Sequence, residues 1–466
     1  MPEERTMRFR MGVIGYGKRG SSITRDILFR MKDVEVTAVC DSYGDRVREG
    51  CADVEKKEGK PANGYTDYRE MLAKEQLDGV YIAAAWEMHA DIAMEAMRRG
   101  VPAALEVGGA YSLESLWQMV RTQEKTGTPV MLMENCCFGK DELLATSLVR
   151  GGVLGDVVHC HGAYAHFLGD EILSGEKDRH YRLRNYLRRN CENYPTHELG
   201  PIAKILNINR GNQMVSLVSV ASRAAGLEAY ARSKPEKYGE FIGTRFAQGD
   251  IVNTIITCAD GSTISLRLDT TLPRFYSREF TVRGTKGLYE QGNNYVYLMD
   301  EPEVFETAEQ YGKYGNNGEK YEEDYLPPVW RNITAEDTEV GHGGMDAVEF
   351  RVFVNCLREG KPMPIDIYDT AAWMSISVLS EASIAAGDSR LHRRQVGPAG
   401  ADGRCGAEAR KPRLKRNQNT KNGTIGRSFR FLCLYDQRKA VYNESVLCRV
   451  GIRKRGFENH GSGHGL

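Results

Sequence analysis

Three short stretches of this chain hold residues whose types and spacing could do chemistry. The first, MGVIGYGKRG at residues 11–20, sets Gly15, Gly17 and Gly20 in a G-x-G-x-x-G pattern. The strand-like run FRMGVI leads into it, and the helically spaced run SSITRDILFRM follows it. In that setting Gly15 permits the tight turn, Gly17 lets backbone approach a pyrophosphate, and Gly20 lets the helix pack on the strand. The helix N-terminus offers N–H groups and the positive end of its dipole to phosphates. Tyr16, Lys18 and Arg19 fall in the same cradle. Asp41 closes the next strand, VEVTAVCD, where a ribose-binding carboxylate is expected about 20 residues on. A carboxylate repels a 2′-phosphate, so the expected dinucleotide is NAD rather than NADP.

The second stretch is NYPTHELG, in which Tyr194 and His197 lie together next to a helix start. An imidazole that is neutral near pH 7 suits proton transfer. The third is VGHGGMD, where Gly341, Gly343 and Gly344 flank His342. That density of glycine suggests a loop with unusual dihedrals that approaches a ligand closely. Glu134 ends the run VMLME, where a carboxylate can bind ligand hydroxyls, orient a base, or pair with an arginine. Trp86 and His89 follow a strand in AAAWEMHADIAMEAM, and Glu106 ends another in LEV. These are strand C-termini, where open sheets bind ligands. Trp86 has two readings, packing on the cofactor or covering a domain joint, and His89 has a second reading as a helix cap. No cysteine set has metal-ligand spacing, so no metal site is expected.

The elements that must position these residues follow from periodicity. Strand and helix patterns alternate through PVMLMEN, which predicts a doubly wound parallel sheet of Rossmann type over residues 8–133. Longer alternating strands then appear in DVVHCHGAYAHF, MVSLVSVAS and DIVNTIITCADGSTISLRLDT, the last with an Asp-Gly hairpin turn. With the helical runs among them they predict an α+β domain over 134–390 with a largely antiparallel sheet. Residues 391–466 are basic and Gly-rich with little hydrophobic period, which predicts a disordered tail. The fold class is therefore α/β with an appended α+β domain.

The chain has 466 residues, 63 Lys and Arg against 63 Asp and Glu, and eleven cysteines. Zero net charge gives no reason to expect nucleic acid, and no apolar run nears the ~18 residues of a membrane span. The charged start MPEERTMRFR has no apolar run after it, so no export signal is expected, and an odd number of scattered cysteines suits the cytoplasm. A homo-oligomer is left open.

A Rossmann half followed by an α+β half resembles the glucose–fructose oxidoreductase and inositol dehydrogenase (Gfo/Idh/MocA) superfamily. Its usual Glu-Lys-Pro is replaced here by Glu106-Val107-Gly108, so the lysine that supports hydride transfer is missing. The segments MLMENCCF, HGAYAH, NYPTHELGPIAKILNINRGN, TTLPRFYSREFTVRGTKGL and GHGGMD resemble a specific branch, the NAD-dependent α-N-acetylgalactosaminidases of glycoside hydrolase family 109. The resemblance covers residues 8 to 390. Val340 departs from the family's Gly-Gly-His-Gly-Gly loop.

The resemblance implies NAD as cofactor and a terminal α-linked N-acetylgalactosamine, free or at a glycan end, as substrate. It also implies a redox cycle that closes on itself. Hydride leaves C3, the C2 proton becomes acidic, the C1 group is expelled, water adds, and the hydride returns. Paired carboxylates are then not needed. It places Tyr194, His197 and His342 among the acid–base groups, and Tyr164, His166 and Tyr276 with Glu134 against the sugar. Two other functions remain at this stage, an NAD-dependent sugar or polyol dehydrogenase and a non-catalytic sugar- or NAD-binding protein.

Overall fold

A computed structural model describes residues 8–175, 177–301, 312, 315–331, 333–334, 338–387 and 429–430. Hydrophobic strands with both faces buried are what a parallel sheet covered by helices requires. Such strands form here as β1 (Phe9–Ile14), β2 (Val34–Cys40), β4 (Gly79–Ile82), β5 (Ala103–Glu106) and β6 (Val130–Met133), with the short, largely exposed β3 (Asn63–Tyr65) at the edge. They lie in the order β3-β2-β1-β4-β5-β6, every pair parallel. The strand order reverses between β1 and β4. The crevice at their C-terminal ends is where this topology binds ligands. The covering helices are α1 (Lys18–Asp26), α2 (Gly44–Glu58), α3 (Tyr68–Lys74), α4 (His89–Arg98) and α5 (Leu113–Thr126). Sequence pattern did not reveal α2 or β3. Only Val47, Gly50 and Val54 of α2 are buried, and β3 has three residues on the sheet edge.

The second sheet has eight strands in the order β13-β12-β11-β7-β10-β9-β8-β14. They are β7 (Val157–Ala165), β8 (Met214–Ala221), β9 (Ile251–Cys258), β10 (Thr263–Asp269), β11 (Thr281–Gly284), β12 (Gly287–Glu290), β13 (Tyr295–Leu298) and β14 (Phe429–Arg430). Only β7 and β10 pair in parallel, so the sheet is largely antiparallel as expected. Alternation in β9, buried at every second residue, leaves one face to helices and the other open. The expected disorder of the tail falls outside the described residues, apart from Phe429–Arg430, whose backbone pairs with β8. No helix among the described residues is long and apolar enough to cross a membrane.

The helices of this half that bear on the site are α6 (Lys140–Arg150), α7 (Gly169–Leu173), α8 (Arg182–Arg188) and α9 (Thr196–Ile205), and later in the chain those at Met345–Arg358 and Ile367–Gly387. The run GPIAKILNI predicted helix from Gly200, but α9 starts at Thr196. Pro195 already holds helical dihedrals (φ −71°, ψ −17°), so His197 falls in the first turn. The long helix Ile367–Gly387 packs on β8 and also on α5 and β6, and so joins the two halves.

One ion cluster fastens α9 to that helix. Buried Asp369 accepts from Lys204 of α9 at 2.8 Å and from Arg210 at 2.7 Å. The Asp369→Asn variant should lose about 2–4 kcal/mol of stability, at or below the ~3–5 kcal/mol of a fully buried pair, because both cations are partly solvated. Urea unfolding of the two proteins measures the difference. A change under about 0.5 kcal/mol would show that α9 is held by packing alone.

Candidate active site

The glycine loop sits at the end of β1 and at the N-terminus of α1. Gly15 has φ +95°, and a Cβ there would lie 2.5 Å from the carbonyl oxygen of Ala83. A Cβ at Gly20 would lie 1.9 Å from the carbonyl oxygen of Gly15. The helix is therefore seated as close to the strand as backbone allows. Gly17 is the N-cap and brings no side chain to the first-turn N–H groups, which leaves them to a ligand. Asp41 is buried at the tip of β2 and accepts from the N–H of Tyr16 at 2.8 Å and of Tyr43 at 2.9 Å. Its carboxylate faces the loop, with Arg46 at 3.9 Å. These residues fit a dinucleotide with its pyrophosphate on α1 and its ribose at Asp41.

The other cofactor candidates divide. Tyr16 turns away from the loop, its ring buried and its hydroxyl donating to Asp53 at 2.8 Å. Lys18 is exposed, 4.0 Å from Glu171. Arg19 joins three segments. It reaches Glu106 at 2.8 Å, Asp346 at 2.9 and 3.1 Å, and His342 Nδ1 at 3.4 Å. Glu106 is also held by the Tyr81 hydroxyl at 2.7 Å. His89 is buried, its Nε2 bonded to the Ala84 carbonyl at 3.0 Å. Burial lowers its pKa, so it is a neutral strut of the loop that follows β4.

Trp86 is buried under Gly108 and packs on Tyr181 at 4.6 Å and Tyr194 at 5.4 Å between ring centres. From there a belt of rings runs into the second half. Tyr194 lies 4.4 Å from Tyr164 and 4.9 Å from His197. Tyr164 lies 4.8 Å from His166, and His166 lies 5.3 Å from Tyr276. The structure thus gathers Trp86, Tyr164, His166, Tyr194, His197 and Tyr276 from four separate segments. His342 is not in this belt. It is exposed beside Arg19 and 3.2 Å from the Asn135 amide, and Asp346 accepts at its Nδ1 at 2.9 Å.

The chemical centre of the belt is the pair His197–Glu134. Glu134 ends β6 with no exposed surface, and its two oxygens lie 2.8 and 2.9 Å from His197 Nδ1. Burial alone would raise this carboxyl. The imidazole, the Thr196 hydroxyl and the N–H of Cys136 outweigh that and hold it below the ordinary range. An ionised Glu134 accepts a hydrogen bond from Nδ1–H and leaves Nε2 as the basic nitrogen. Cys136 Sγ lies within 4.8 Å of this pair's ligand atoms. Burial keeps that thiol protonated, and the hydrogen bonds already occupy Nδ1 and both oxygens.

Burial, reinforced by Tyr164, holds the Tyr194 phenol well above its ordinary pKa despite Arg182 nearby, and burial lifts Tyr164 to about 12. Both are protonated donors at neutral pH. Burial and then Arg182 push His166 down to about 4, so it is neutral. Its Nε2 is buried with no hydrogen-bond partner among the described residues.

Arg182 is the residue that sequence reasoning missed. Its guanidinium lies 5.1 Å from the Trp86 ring centre, 5.0 Å from that of Tyr194 and 6.0 Å from that of Tyr164, and pairs with Glu171 at 2.7 Å. It sits in the basic run RHYRLRNYLRR, which reads as a solvated helix face, and nothing in that run marks one arginine as buried. Asp346 was missed too. Its signal was available, an acid four residues after His342 at a helix start.

Residues 9–134 match the family described as Oxidoreductase family, NAD-binding Rossmann fold, and residues 138–393 match Glycosyl hydrolase 109, C-terminal domain. A Stenotrophomonas maltophilia protein named Glycosyl hydrolase family 109 protein is 36% identical over 407 residues, 82% of this chain and 87% of that one. Proteins named Alpha-N-acetylgalactosaminidase from Tannerella forsythia and Shewanella oneidensis are 34% and 36% identical, over 81% and 80% of this chain and 84% and 82% of theirs. In fold it is similar to scyllo-inositol dehydrogenase from Lactobacillus casei, solved with NAD(H) and scyllo-inositol. The TM-score is 0.56 at 13% identity, covering 82% of this chain and 98% of that one. With an NAD-binding Rossmann domain joined to this C-terminal domain, the chain belongs to glycoside hydrolase family 109.

Proposed function

We propose that this chain hydrolyses terminal α-linked N-acetylgalactosamine by oxidation at C3, elimination, water addition and reduction, with no net redox change. One observation carries the reading. An imidazole, His197, is held at Nδ1 by a buried carboxylate beside a belt of aromatic rings at the ligand-binding end of a dinucleotide fold. The glycine loop and Asp41 would hold NAD, which when bound would supply the acceptor and later the donor of a hydride. The relatives named Alpha-N-acetylgalactosaminidase supply the sugar.

The chain's own residues then divide the proton work. With a ketone at C3, the C2–H bond is acidic, and His197 Nε2 takes that proton while Glu134 stabilises the imidazolium. The C1–O bond breaks and its oxygen leaves with a proton from the Tyr194 phenol, which the water that adds later restores. The protonated phenols of Tyr194 and Tyr164, beside the Arg182 charge, donate hydrogen bonds to sugar oxygens. Water adds OH at C1 as His197 returns a proton to C2, and the C3 hydride is restored. His166, neutral with Nε2 free, and the half-exposed Tyr276 face the sugar's outer side. His342 acts next to the cofactor loop, where Arg19 and Asp346 hold it. The eight described cysteines are all free thiols, in keeping with a cytoplasmic setting.

Three measurements check this reading. Asp41→Ala should weaken NAD binding by about 1–3 kcal/mol, the scale of lost charge-assisted hydrogen bonds. Unaltered affinity in a calorimetric titration would remove Asp41 from the ribose site. Hydrolysis of an aryl α-N-acetylgalactosaminide in D2O should place deuterium at C2 of the released sugar, with NAD+ needed in catalytic amount only. His197→Gln or Glu134→Gln should cut turnover by about 10²–10⁴. Full turnover with no deuterium at C2 contradicts the mechanism, and steady NADH release points to a dehydrogenase.

A further inference from the structure

Two carboxyls bracket the segment that carries Tyr194 and His197, and neither has a role in the chemistry above. Glu192 and Glu198 are both buried, at 0% and 1% exposure. One oxygen of Glu198 accepts from the N–H of Tyr164 in β7 and of Arg267 in β10, each at 3.1 Å. The other oxygen, and both of Glu192, find no donor among the described residues. The two side chains lie within hydrogen-bonding reach of each other, with the Tyr194 N–H beside Glu192.

The groups packed around them bring no compensating charge. The long helix contributes the Ser380 hydroxyl, which accepts from the Glu192 N–H at 2.9 Å. Tyr186 of α8 faces Glu192 but bonds Thr270 at 2.6 Å, and burial keeps its phenol protonated. The Cys191 thiol is likewise kept protonated by burial. Arg189 pairs with Glu381, Arg182 with Glu171, and the Arg267 guanidinium with Glu279. Two buried carboxylates without a cation cannot both ionise, and three buried acceptor oxygens need a donor.

We propose that Glu192 and Glu198 share a proton at neutral pH, and that this hydrogen bond closes the 192–198 segment on itself and so positions Tyr194 and His197. The two are positioning residues and touch no substrate. Burial pushes both carboxyls up, Glu192 to about 8, and Glu192 adds to the rise at Glu198. The pair then titrates as a unit, and loss of its proton sets two like charges against each other under the active site.

The test compares the full chain with Glu192→Gln, whose amide donates to Glu198 without a titratable proton. The folded-state carboxyl is raised, so its stabilisation is complete below the unfolded carboxyl range and is lost as pH climbs through the folded value. Urea unfolding should show the folding constant of the parent falling relative to Glu192→Gln by about tenfold per pH unit from about pH 5 to about pH 8. Curves that stay parallel overturn the shared proton. Glu198→Gln gives the same comparison if the first variant does not fold.

The positional half rests on the acid–base reading of Tyr194 and His197 and is read separately by cleavage of the aryl glycoside. Parent turnover should fall above about pH 8 while Glu192→Gln holds, and Glu192→Ala should lose at least tenfold at every pH with a cooperative melt retained. Coincident alkaline limbs for parent and Glu192→Gln overturn it. A parent that cleaves no such glycoside at any pH counts against the proposed function and leaves the unfolding result standing.

Discussion

A carboxylate with no exposed surface is tolerable only if its charge is answered, and Glu134 is answered by His197. That bond ties the last strand of the Rossmann sheet to the first turn of α9 in the other half. It ionises the acid and sets the tautomer of the base. Without Glu134 at the end of β6, His197 would be a histidine on a helix. Without His197, Glu134 would be an unpaired buried charge, costing several kcal/mol.

The second junction depends on Arg19. Its guanidinium holds Glu106 from β5 and Asp346 from the helix Met345–Arg358, and Asp346 in turn holds His342. The loop so anchored has positive φ at four successive residues, Gly341 (+55°), His342 (+52°), Gly343 (+68°) and Gly344 (+94°). Glycine takes that conformation freely, while His342 gives up about 1–2 kcal/mol. The hydrogen bond from the imidazole Nδ1 to Asp346 offsets this cost. The residue between two of the pyrophosphate-loop glycines thus connects the cofactor site to a loop more than 300 positions away in the chain.

Between these junctions the ring belt sets the dielectric of the site. Tyr164 and Tyr194 remain neutral donors although Arg182 lies against their faces, so burial outweighs the nearby charge. His166 follows the same rule with the opposite sign, since burial and the arginine both disfavour its charged form. A surface of neutral donors around one oriented base suits a sugar, whose oxygens must be held while a single carbon acid is deprotonated.

Much of this was legible in the chain. G-x-G-x-x-G between a strand and a helix, with Asp41 after the next strand, determines a dinucleotide fold because few other residues permit that turn and that close helix. Strand-and-helix alternation determined the parallel sheet, and long alternating runs with Asp260-Gly261 determined the antiparallel one. The segments around Tyr194 and His342 carried the family. Local pattern has no access to contacts between distant segments, and those decided the rest. Glu134 was seen as a junction acid, but that its partner is His197 and not an arginine follows from where α9 packs. Arg182 lies in a run that looks solvated, and only the fold buries it among rings. Tyr16 and His89 were read beside the cofactor, yet the packing of α2 draws the Tyr16 hydroxyl to Asp53, and the turn after β4 draws His89 to the Ala84 carbonyl. A side chain's neighbours across 60 or 300 residues are set by tertiary packing, and with them its charge.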